Sequence, residues 1–457
     1  MRTFLAALLA ASTLGAPVLA QTVAITGGTV ALGDGSEPIP NGTVVVRNGR
    51  VVAAGAGIAV PAGAETVDAT GKWVTAGIVA GFSRVGLVEV DGVPDTNDTR
   101  ANNSPFSASI NVAPAINPKT TSIAVSRAAG VTRAVVAPVA ARNIFAGQGA
   151  VIDMGDDMEP ITRAQAFQFV ELGEEGARQG GGTRASAHVL FRNALREARD
   201  LNPQGISSGG VRDDQPLPAG LQEDPRLLSP TLDRPRDVFL SRFDAAALAP
   251  VLAGRQLLLV HVERASDILQ TLALKREFPR LRLVLVGAAE GWTVAPQIAA
   301  ARVPVIAHAL TDLPASFEQL AATQSNIGRL RAAGVQVAVG MINDDESRQV
   351  RLSTQYAGNL VALGNIPGAE GMSWGQAFAA ITSGPAQAMG MDGEIGSLRA
   401  GRRADVVIWD GDPLELSSGV ERVWIDGVDQ PLDNRQTRLR DRYRNLDERS
   451  LPKAYQH

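Results

Sequence analysis

Side chains able to act as nucleophiles, bases or soft metal ligands are scarce in this chain, and the scarcity limits its chemistry. The 457 residues include no cysteine and only four histidines, which are His188, His261, His308 and His457. Without cysteine the chain forms no disulfide, no zinc–thiolate or iron–sulfur site and no thiol nucleophile. Any imidazole-based catalysis or metal binding must use these histidines, with carboxylates as their partners.

His261 is the histidine best placed for chemistry, because it follows the apolar run at residues 257–260, which has the composition of a buried strand. His308 follows a second such run, and Glu290 comes shortly after a third. Side chains at the carboxyl ends of parallel strands converge, so these three residues are candidates for one site. A histidine at a strand end more often only hydrogen-bonds within the protein, and that role stays open for both.

An acidic run follows a fourth apolar segment, at residues 335–340, and contains Asp344, Asp345 and Glu346. Asp344 and Asp345 are candidate catalytic carboxylates, since paired acids can give and take protons. The alternative is an acidic loop that is simply solvated. His188 falls in a helix-like stretch at residues 185–199, and we expect it on a surface or packing face.

The elements that must position these residues follow from the periodicity of the chain. Residues 23–74 are short β-like runs, with a hairpin predicted at Asn48-Gly49. From 257 to 339, apolar strands alternate with helix-like stretches such as 266–278. This alternation predicts βαβ units and a parallel sheet, and its spacing fits a (β/α)8 barrel and a doubly wound sheet equally well. Short β runs return at 405–409 and 420–425.

Two stretches and the tail interrupt this order. The segments 178–184 and 202–237 are rich in glycine, proline and charged residues, and the second is longer than ordinary loops. It is either disordered or a cover over the site, and the role of the whole 178–237 region stays open. The tail at 431–457 mixes arginine with acids, which is typical of a solvated arm or helix face.

The first twenty residues have the order of a secretory signal. Arg2 precedes an apolar run at residues 4–16, and small side chains lead up to Ala20. We expect cleavage between Ala20 and Gln21 and export of the mature chain, to the periplasm if the host is Gram-negative. An uncleaved membrane anchor is the alternative, although the apolar run is short for one.

The overall composition bounds the class of protein. Hydrophobic residues make up 45% and charged residues 20%, which is enough apolar material for a large buried core. The 43 Lys and Arg against 47 Asp and Glu give a net charge of −4, so no nucleic-acid partner is expected. After the N-terminal segment, no stretch approaches the roughly 20 apolar residues of a membrane span.

Several segments resemble the amidohydrolase superfamily, and in particular its imidazolonepropionase-like exported branch. The segment at 67–77 is similar to the entry into that family's first barrel strand, and the segment at 381–386 resembles part of its last helix. The most specific match is the glycine-rich segment at 393–407, which includes Asp405. The resemblance implies a (β/α)8 TIM-like barrel at 75–391. It also implies a small β-sandwich built from both chain ends, at 21–74 and 392–430.

The resemblance also implies a metal site, and this sequence departs from it. The family places a His-x-His pair after strand one, where this chain has Phe82 and Arg84. Phenylalanine has no ligand atom and the Arg84 guanidinium repels a cation. His261 matches the histidine after strand five, but Gly287 stands where a histidine follows strand six. The aspartate after strand eight would align near Ile342, so that Asp344 or Asp345 would have to replace it after a shift.

Two functions follow from this partial match. The first is a hydrolase of non-peptide carbon–nitrogen bonds in a small substrate. Its metal site would be degenerate, holding at most one weakly bound zinc-type ion through His261. Its catalytic residues would be His261, Asp344 and Asp345, and its substrate-binding residues Arg84, Glu290 and His308. The second is an inactive relative that acts as a periplasmic binding protein. A homodimer is an expectation taken from the family.

Cleavage of the signal has a direct test. The exported protein should begin at Gln21 when its N-terminus is read by mass spectrometry, because small side chains at the cleavage site suit signal peptidase. An Ala20→Arg variant should not be cleaved at this site and should keep residues 1–20. A soluble cytoplasmic protein that retains Met1 would contradict the expectation.

Overall fold

Two eight-stranded sheets form the framework of this protein. A computed structural model describes residues 22–200, 239–343 and 347–444. The strands are β1 Thr22–Ala31, β2 Ile39–Arg47, β3 Arg50–Gly55, β4 Glu65–Asp68, β5 Trp73–Ala76, β6 Ile78–Ser83, β7 Val131–Val136, β8 Phe145–Asp153, β9 Ile161–Glu171, β10 Leu257–Val262, β11 Arg282–Gly287, β12 Val305–Ala307, β13 Val337–Val339, β14 Val406–Trp409, β15 Val420–Ile425 and β16 Val428–Asp429.

The first sheet is built from both ends of the chain, as the resemblance implied. Its order is β16-β15-β14-β5-β1-β2-β3, with β4 paired to β1. The predicted hairpin is confirmed: β2 and β3 are antiparallel, and Asn48 and Gly49 take positive φ angles of 52° and 71° at the turn. The apolar side chains that this sheet buries form their own cluster, which includes Ile25, Val74 and Val406.

The second sheet is a nearly closed barrel, with the strand order β13-β12-β11-β10-β9-β8-β7-β6. Its neighbours are parallel except at β8, which runs antiparallel to both β7 and β9. The two ends of the sheet meet where the Met341 amide donates to the Phe82 carbonyl at 3.0 Å. The TIM-like fold is therefore confirmed, with one strand reversed.

Helices cover the outside of the barrel. They are α1 Thr121–Arg127, α2 Glu174–Gln179, α3 Arg184–Asp200, α4 Arg242–Leu252, α5 Ala265–Glu277, α6 Ala295–Ala301, α7 Asn326–Ala332, α8 Ser353–Ala362, α9 Trp374–Ala379, α10 Ser383–Ala388 and α11 Arg435–Tyr443. In α3, the buried side chains Ala187, Phe191, Ala194 and Ala198 recur every three or four residues, which is the spacing of one helix face. No helix in the described ranges is long and apolar enough to cross a membrane.

Strand alternation decides which side chains fill the barrel. Phe167 and Phe169 of β9 and Leu257 and Leu259 of β10 belong to an interior cluster, whereas Leu258 and Val260 pack outward against the helices. The same alternation carries Glu171 and His261 to the inward side at the carboxyl ends of their strands. This is the face of such barrels on which functional side chains gather.

Arg133 joins the barrel to the sheet of the chain ends. Its side chain, on β7, is fully buried, and it donates to both carboxylate oxygens of Asp405 at 2.8 and 3.0 Å. Asp426 lies 2.8 Å from the same guanidinium and Asp153 lies 3.6 Å away. A bidentate pair inside the protein is strong only because each partner satisfies the other.

The junction predicts a stability effect. Asp405→Asn leaves a buried guanidinium without its bidentate partner, so the free energy of unfolding should fall by roughly 3 kcal/mol. Asp429→Asn is the matched control, since Asp429 pairs with Arg422 at the exposed edge of the same sheet. Its effect in urea unfolding should stay below about 1 kcal/mol. Equal losses for the two variants would contradict a central role for the junction.

Candidate active site

Glu171 and His261 lie side by side at the mouth of the barrel. They are direct partners in the parallel pairing of β9 with β10, although they are 90 residues apart in sequence. Both face inward, one step beyond the last apolar layer. The interior below them is closed by Phe82 and Phe169, whose ring centroids are 5.2 Å apart. A polar pair therefore stands on an apolar floor.

His261 is held between two carboxylates. Its Nδ1 lies 2.7 Å from Glu171 Oε1, and its Nε2 lies 3.0 Å from Glu263 Oε1. Since a carboxylate only accepts, both ring nitrogens must donate, which makes the ring an imidazolium between two glutamates. Burial opposes this charge, but the charges and hydrogen bonds of Glu171 and Glu263 raise the pKa of His261 well above its ordinary value.

Glu263 takes its position because Gly287 leaves room for it. A Cβ added to Gly287 would lie 2.5 Å from Glu263 Oε1, so a larger residue there would displace this carboxylate. The second oxygen, Oε2, accepts from the Ala289 amide at 2.7 Å. The glycine that stands where the family has a histidine is thus explained by the Glu263 side chain next to it.

A third carboxylate approaches the same group from the loop after β12. Glu318 Oε2 accepts from the Glu174 amide at 2.7 Å and from Arg184 at 3.1 Å. Burial raises the pKa of Glu318, while the positive charge of His261 acts in the opposite direction. Arg184 also donates to Asp267 at 2.9 Å. The negative charges of the glutamates are therefore balanced by the positive charges of His261 and Arg184.

The cluster is partly open to solvent. The side chains of His261, Glu171 and Glu263 are 17%, 12% and 8% exposed. This is enough for contact with a small molecule at the mouth and too little for free hydration. Proton transfer between a bound group and these side chains is the chemistry that such an arrangement can perform.

Phe82 and Arg84, which stand at the ligand positions of the first barrel strand, lie at different depths in the barrel. Phe82 is fully buried in the barrel interior. Arg84 is 7% exposed, its guanidinium lies 5.7 Å from the Phe82 ring centroid, and it lines a separate cavity. Glu89, five residues beyond Arg84, accepts a hydrogen bond from the side-chain amide of Asn117.

Glu290 and His308 form hydrogen bonds with described residues outside the His261 cluster. Both Glu290 oxygens accept hydrogen bonds from backbone amides, from Ala265 at 3.0 Å and from Ala321 at 3.1 Å, so this carboxylate joins the start of α5 to the loop after β12. His308 Nδ1 lies 3.0 Å from the Thr311 hydroxyl. Substrate-binding roles for these two residues stay predictions. His188 is half-buried on α3, as expected for a packing face, and burial lowers its pKa.

Asp344 and Asp345 lie outside the described residues, so their catalytic roles also stay predictions. The expected tail is described in part, where residues 435–443 form α11 with no buried side chain.

The described side chains at the mouth do not suit the metal that the family resemblance implies. Across the described parts of the chain, no three His, Asp or Glu side chains are arranged to hold a metal ion together. An imidazolium with both nitrogens donating has no lone pair for a cation, so His261 in this state is not a ligand. Phe82 and Gly287 contribute no donor atom.

Sequence reasoning identified His261 but missed its partners. Glu171 ends a strand in which Phe167 and Phe169 lie on either side of Gln168. This period-2 spacing places Glu171 on the same face as the two rings, and it is a signal that could have found it. Glu263 lies two residues beyond His261 on the same inward face. Glu318 gives no local signal, because it comes from a loop and reaches the site only through the fold.

Known protein sequences match limited parts of this chain. Residues 288–428 match the family model described as the amidohydrolase family. "Amidohydrolase tasK" of Hapsidospora irregularis is 42% identical over 60 residues, 13% of this chain and 6% of that protein. "Imidazolonepropionase" of Maricaulis maris (strain MCS10) is 36% identical over 113 residues, 24% of this chain and 26% of that protein. The chain thus matches only a minor part of each curated relative.

The fold itself matches over most of the length. The crystal structure of an amidohydrolase from Thermotoga maritima MSB8 superimposes with a TM-score of 0.72 at 24% identity. The match covers 89% of this chain and 99% of that one. At this identity the likeness concerns the fold, and it agrees with the barrel and end sheet described above.

The charge state of His261 can be measured by NMR on a protein with four histidines. The His261 ring, assigned by its loss in His261→Asn, should stay doubly protonated above pH 7, while His188 titrates at lower pH. Glu171→Gln should lower the pKa of His261, because it removes a negative charge 2.7 Å from Nδ1. Glu175→Gln is the control. A His261 pKa near 6.5 that Glu171→Gln leaves unchanged would refute the assignment.

Proposed function

Since the chain belongs to the amidohydrolase superfamily, we propose that it hydrolyses a non-peptide carbon–nitrogen bond in a small substrate. The observation that carries the proposal is the row Glu171–His261–Glu263 at the barrel mouth. It offers a base and an acid within hydrogen-bond distance of each other. Its charged side chains are mostly buried but still reach the solvent. They lie on the face of the barrel where enzymes with this fold carry their functional residues.

The proposed reaction uses the two kinds of group in turn. A glutamate takes a proton from water while the water oxygen bonds to the carbonyl carbon. The carbon–nitrogen bond then breaks, and the leaving nitrogen takes a proton from the His261 imidazolium. The glutamate returns its proton to the ring through the hydrogen bond that joins them. The products are a carboxylic acid and an amine, and the site is restored.

The imidazolium also has an electrostatic role in this proposal. A positive ring at the mouth stabilises the oxyanion that forms when water adds to the carbonyl. Glu171 and Glu263 hold the ring in one orientation through its two nitrogens, so little reorganisation is needed during the reaction. No step depends on a metal ion.

We propose that the metal site of the family is degenerate here. The support is chemical: Phe82 and Arg84 stand at the first-strand ligand positions, and Glu263 fills the space beside Gly287. A single zinc-type ion could bind only after His261 lost a proton, which the two adjacent glutamates oppose.

The second candidate is an inactive protein that binds a small ligand. The observation that favours it is the tight pairing of the cluster, in which Glu318 and Arg184 also take part. In that case the charges would serve the stability of the fold and the recognition of a ligand. For either function we propose export, on the signal-like order of the first twenty residues.

Turnover separates the two candidates. The purified protein should hydrolyse an N-acyl amine or a cyclic amide at a rate that chelators do not change. Glu171→Gln should lower kcat by about 10²- to 10⁴-fold, because it removes the proposed base. Glu175→Gln, in an exposed pair with Arg178, should leave kcat unchanged.

The metal content of the purified protein tests the proposal of a degenerate metal site. After dialysis against zinc or manganese, elemental analysis should find less than one tightly held ion per chain. Two tightly held ions would overturn the degenerate site. Ligand binding without turnover on the amide series would replace the hydrolase with the binding protein.

A further inference from the structure

A cavity of about 650 Å³ lies at the amino end of β13, between α7, α9 and α10. Strands β10 to β13 run parallel to one another, so this end of the barrel is opposite to the mouth that holds His261. The volume falls in the range of sites for small molecules. The wall residues that matter for binding are Gly328, Arg331, Gln336, Glu370, Gln376 and Gln387.

The backbone on the two sides of this cavity is held together closely. A Cβ added to Gly328 of α7 would lie 2.1 Å from the Glu370 carbonyl oxygen, so a larger residue there would displace the segment around Glu370. The Glu370 amide also donates to the hydroxyl of Ser325, which precedes α7, at 2.9 Å. The backbone of Glu370 is therefore fixed relative to Arg331, which lies on the same helix α7.

The described wall of the cavity carries one positive and one negative side chain, Arg331 and Glu370. Both are exposed. Within the part of the chain that the structure describes, neither side chain forms an ion pair or a hydrogen bond, either with the other or with a third residue. A guanidinium and a carboxylate are thus both available to a ligand, and they are far enough apart to leave room for one.

Three glutamines in the wall add neutral hydrogen-bonding groups. The Nε2 of Gln336 is buried and has no hydrogen-bond partner among the described residues. A buried donor without an acceptor costs free energy, which an acceptor on a ligand would recover. Gln376 Oε1 accepts from the Ser373 amide at 3.3 Å, so the NH2 group of Gln376 is left to donate.

We propose that this cavity binds a small zwitterion of the amino-acid or short-peptide class, with its carboxylate on Arg331 and its ammonium group on Glu370. The planar guanidinium donates two parallel hydrogen bonds to a carboxylate, and the Glu370 carboxylate accepts from the ammonium group. A simple anion would be attracted by one side chain and repelled by the other, and so would a simple cation. The site goes beyond the proposed hydrolysis, because it lies at the opposite end of the barrel.

Three matched dipeptides test the need for both charges. They are glycylglycine, N-acetylglycylglycine, which keeps only the carboxylate, and glycylglycinamide, which keeps only the ammonium group. In calorimetry at neutral pH and fixed ionic strength, glycylglycine should bind about tenfold more tightly than either derivative, since each derivative lacks one charge-assisted contact. Equal affinities for the three, or a glycylglycine Kd weaker than about 10 mM, would overturn the proposal.

Variants of the two charged residues locate the site. Arg331→Gln should weaken glycylglycine binding about tenfold and remove its advantage over glycylglycinamide, because the carboxylate loses its partner. Glu370→Gln should have the same effect on its advantage over N-acetylglycylglycine. Arg329→Gln is the matched control on α7, since the Arg329 guanidinium lies 4.4 Å from the centroid of the Trp292 ring and outside the wall. Binding that Arg331→Gln and Glu370→Gln both leave unchanged would contradict the assignment.

A further variant separates this cavity from the barrel mouth, whose charges could also attract the dipeptides. Glu171→Gln should leave the affinity for glycylglycine within about twofold, because Glu171 pairs with His261 at the other end of the barrel. Binding that is lost in Glu171→Gln but kept in Arg331→Gln would place the dipeptide at the mouth and overturn the inference. Zwitterion binding that depends on Arg331 and Glu370 supports it whether or not the protein hydrolyses an amide.

Discussion

The arrangement of the barrel mouth depends on how the first barrel strand is fixed to the sheet of the chain ends. β5 of that sheet runs into β6 of the barrel through one residue, Gly77, whose amide donates to the Asp405 carbonyl at 2.9 Å. The Asp405 carboxylate in turn holds the buried Arg133 guanidinium of β7. A slip at this junction would move Phe82 and Arg84 along the barrel axis, and with them the apolar floor and the wall of the cavity that Arg84 lines.

Charge balance is the second constraint, and it decides what the mouth can bind. Three glutamates gather around His261, and a buried carboxylate is tolerated only when it is paired or hydrogen-bonded. Here His261, Arg184 and backbone amides supply those partners. In a metalloenzyme a divalent cation would neutralise such a group of acids. In this chain a ring proton and a guanidinium supply positive charge, which is consistent with the absence of ligand atoms at Phe82 and Gly287.

The sequence predicted the fold better than it predicted the site, and the reason is the range of the contacts. The Asn48-Gly49 hairpin, the strand at 420–425 and the helix around residue 190 follow from local patterns of turn residues and periodicity, and each is confirmed. The reversed strand β8 was not predicted, because antiparallel neighbours break the alternation of strand and helix on which the barrel assignment was based.

The site needed pairings that no local pattern reveals. His261 could be found because an apolar strand ends at it. Glu171 contacts it across 90 residues of sequence, and Glu318 reaches the cluster from a loop. Gly287 stands where the family has a histidine, and its lack of a side chain makes space for Glu263. The replacement of a ligand by glycine can therefore be explained only when the side chains of the neighbouring strand have been placed.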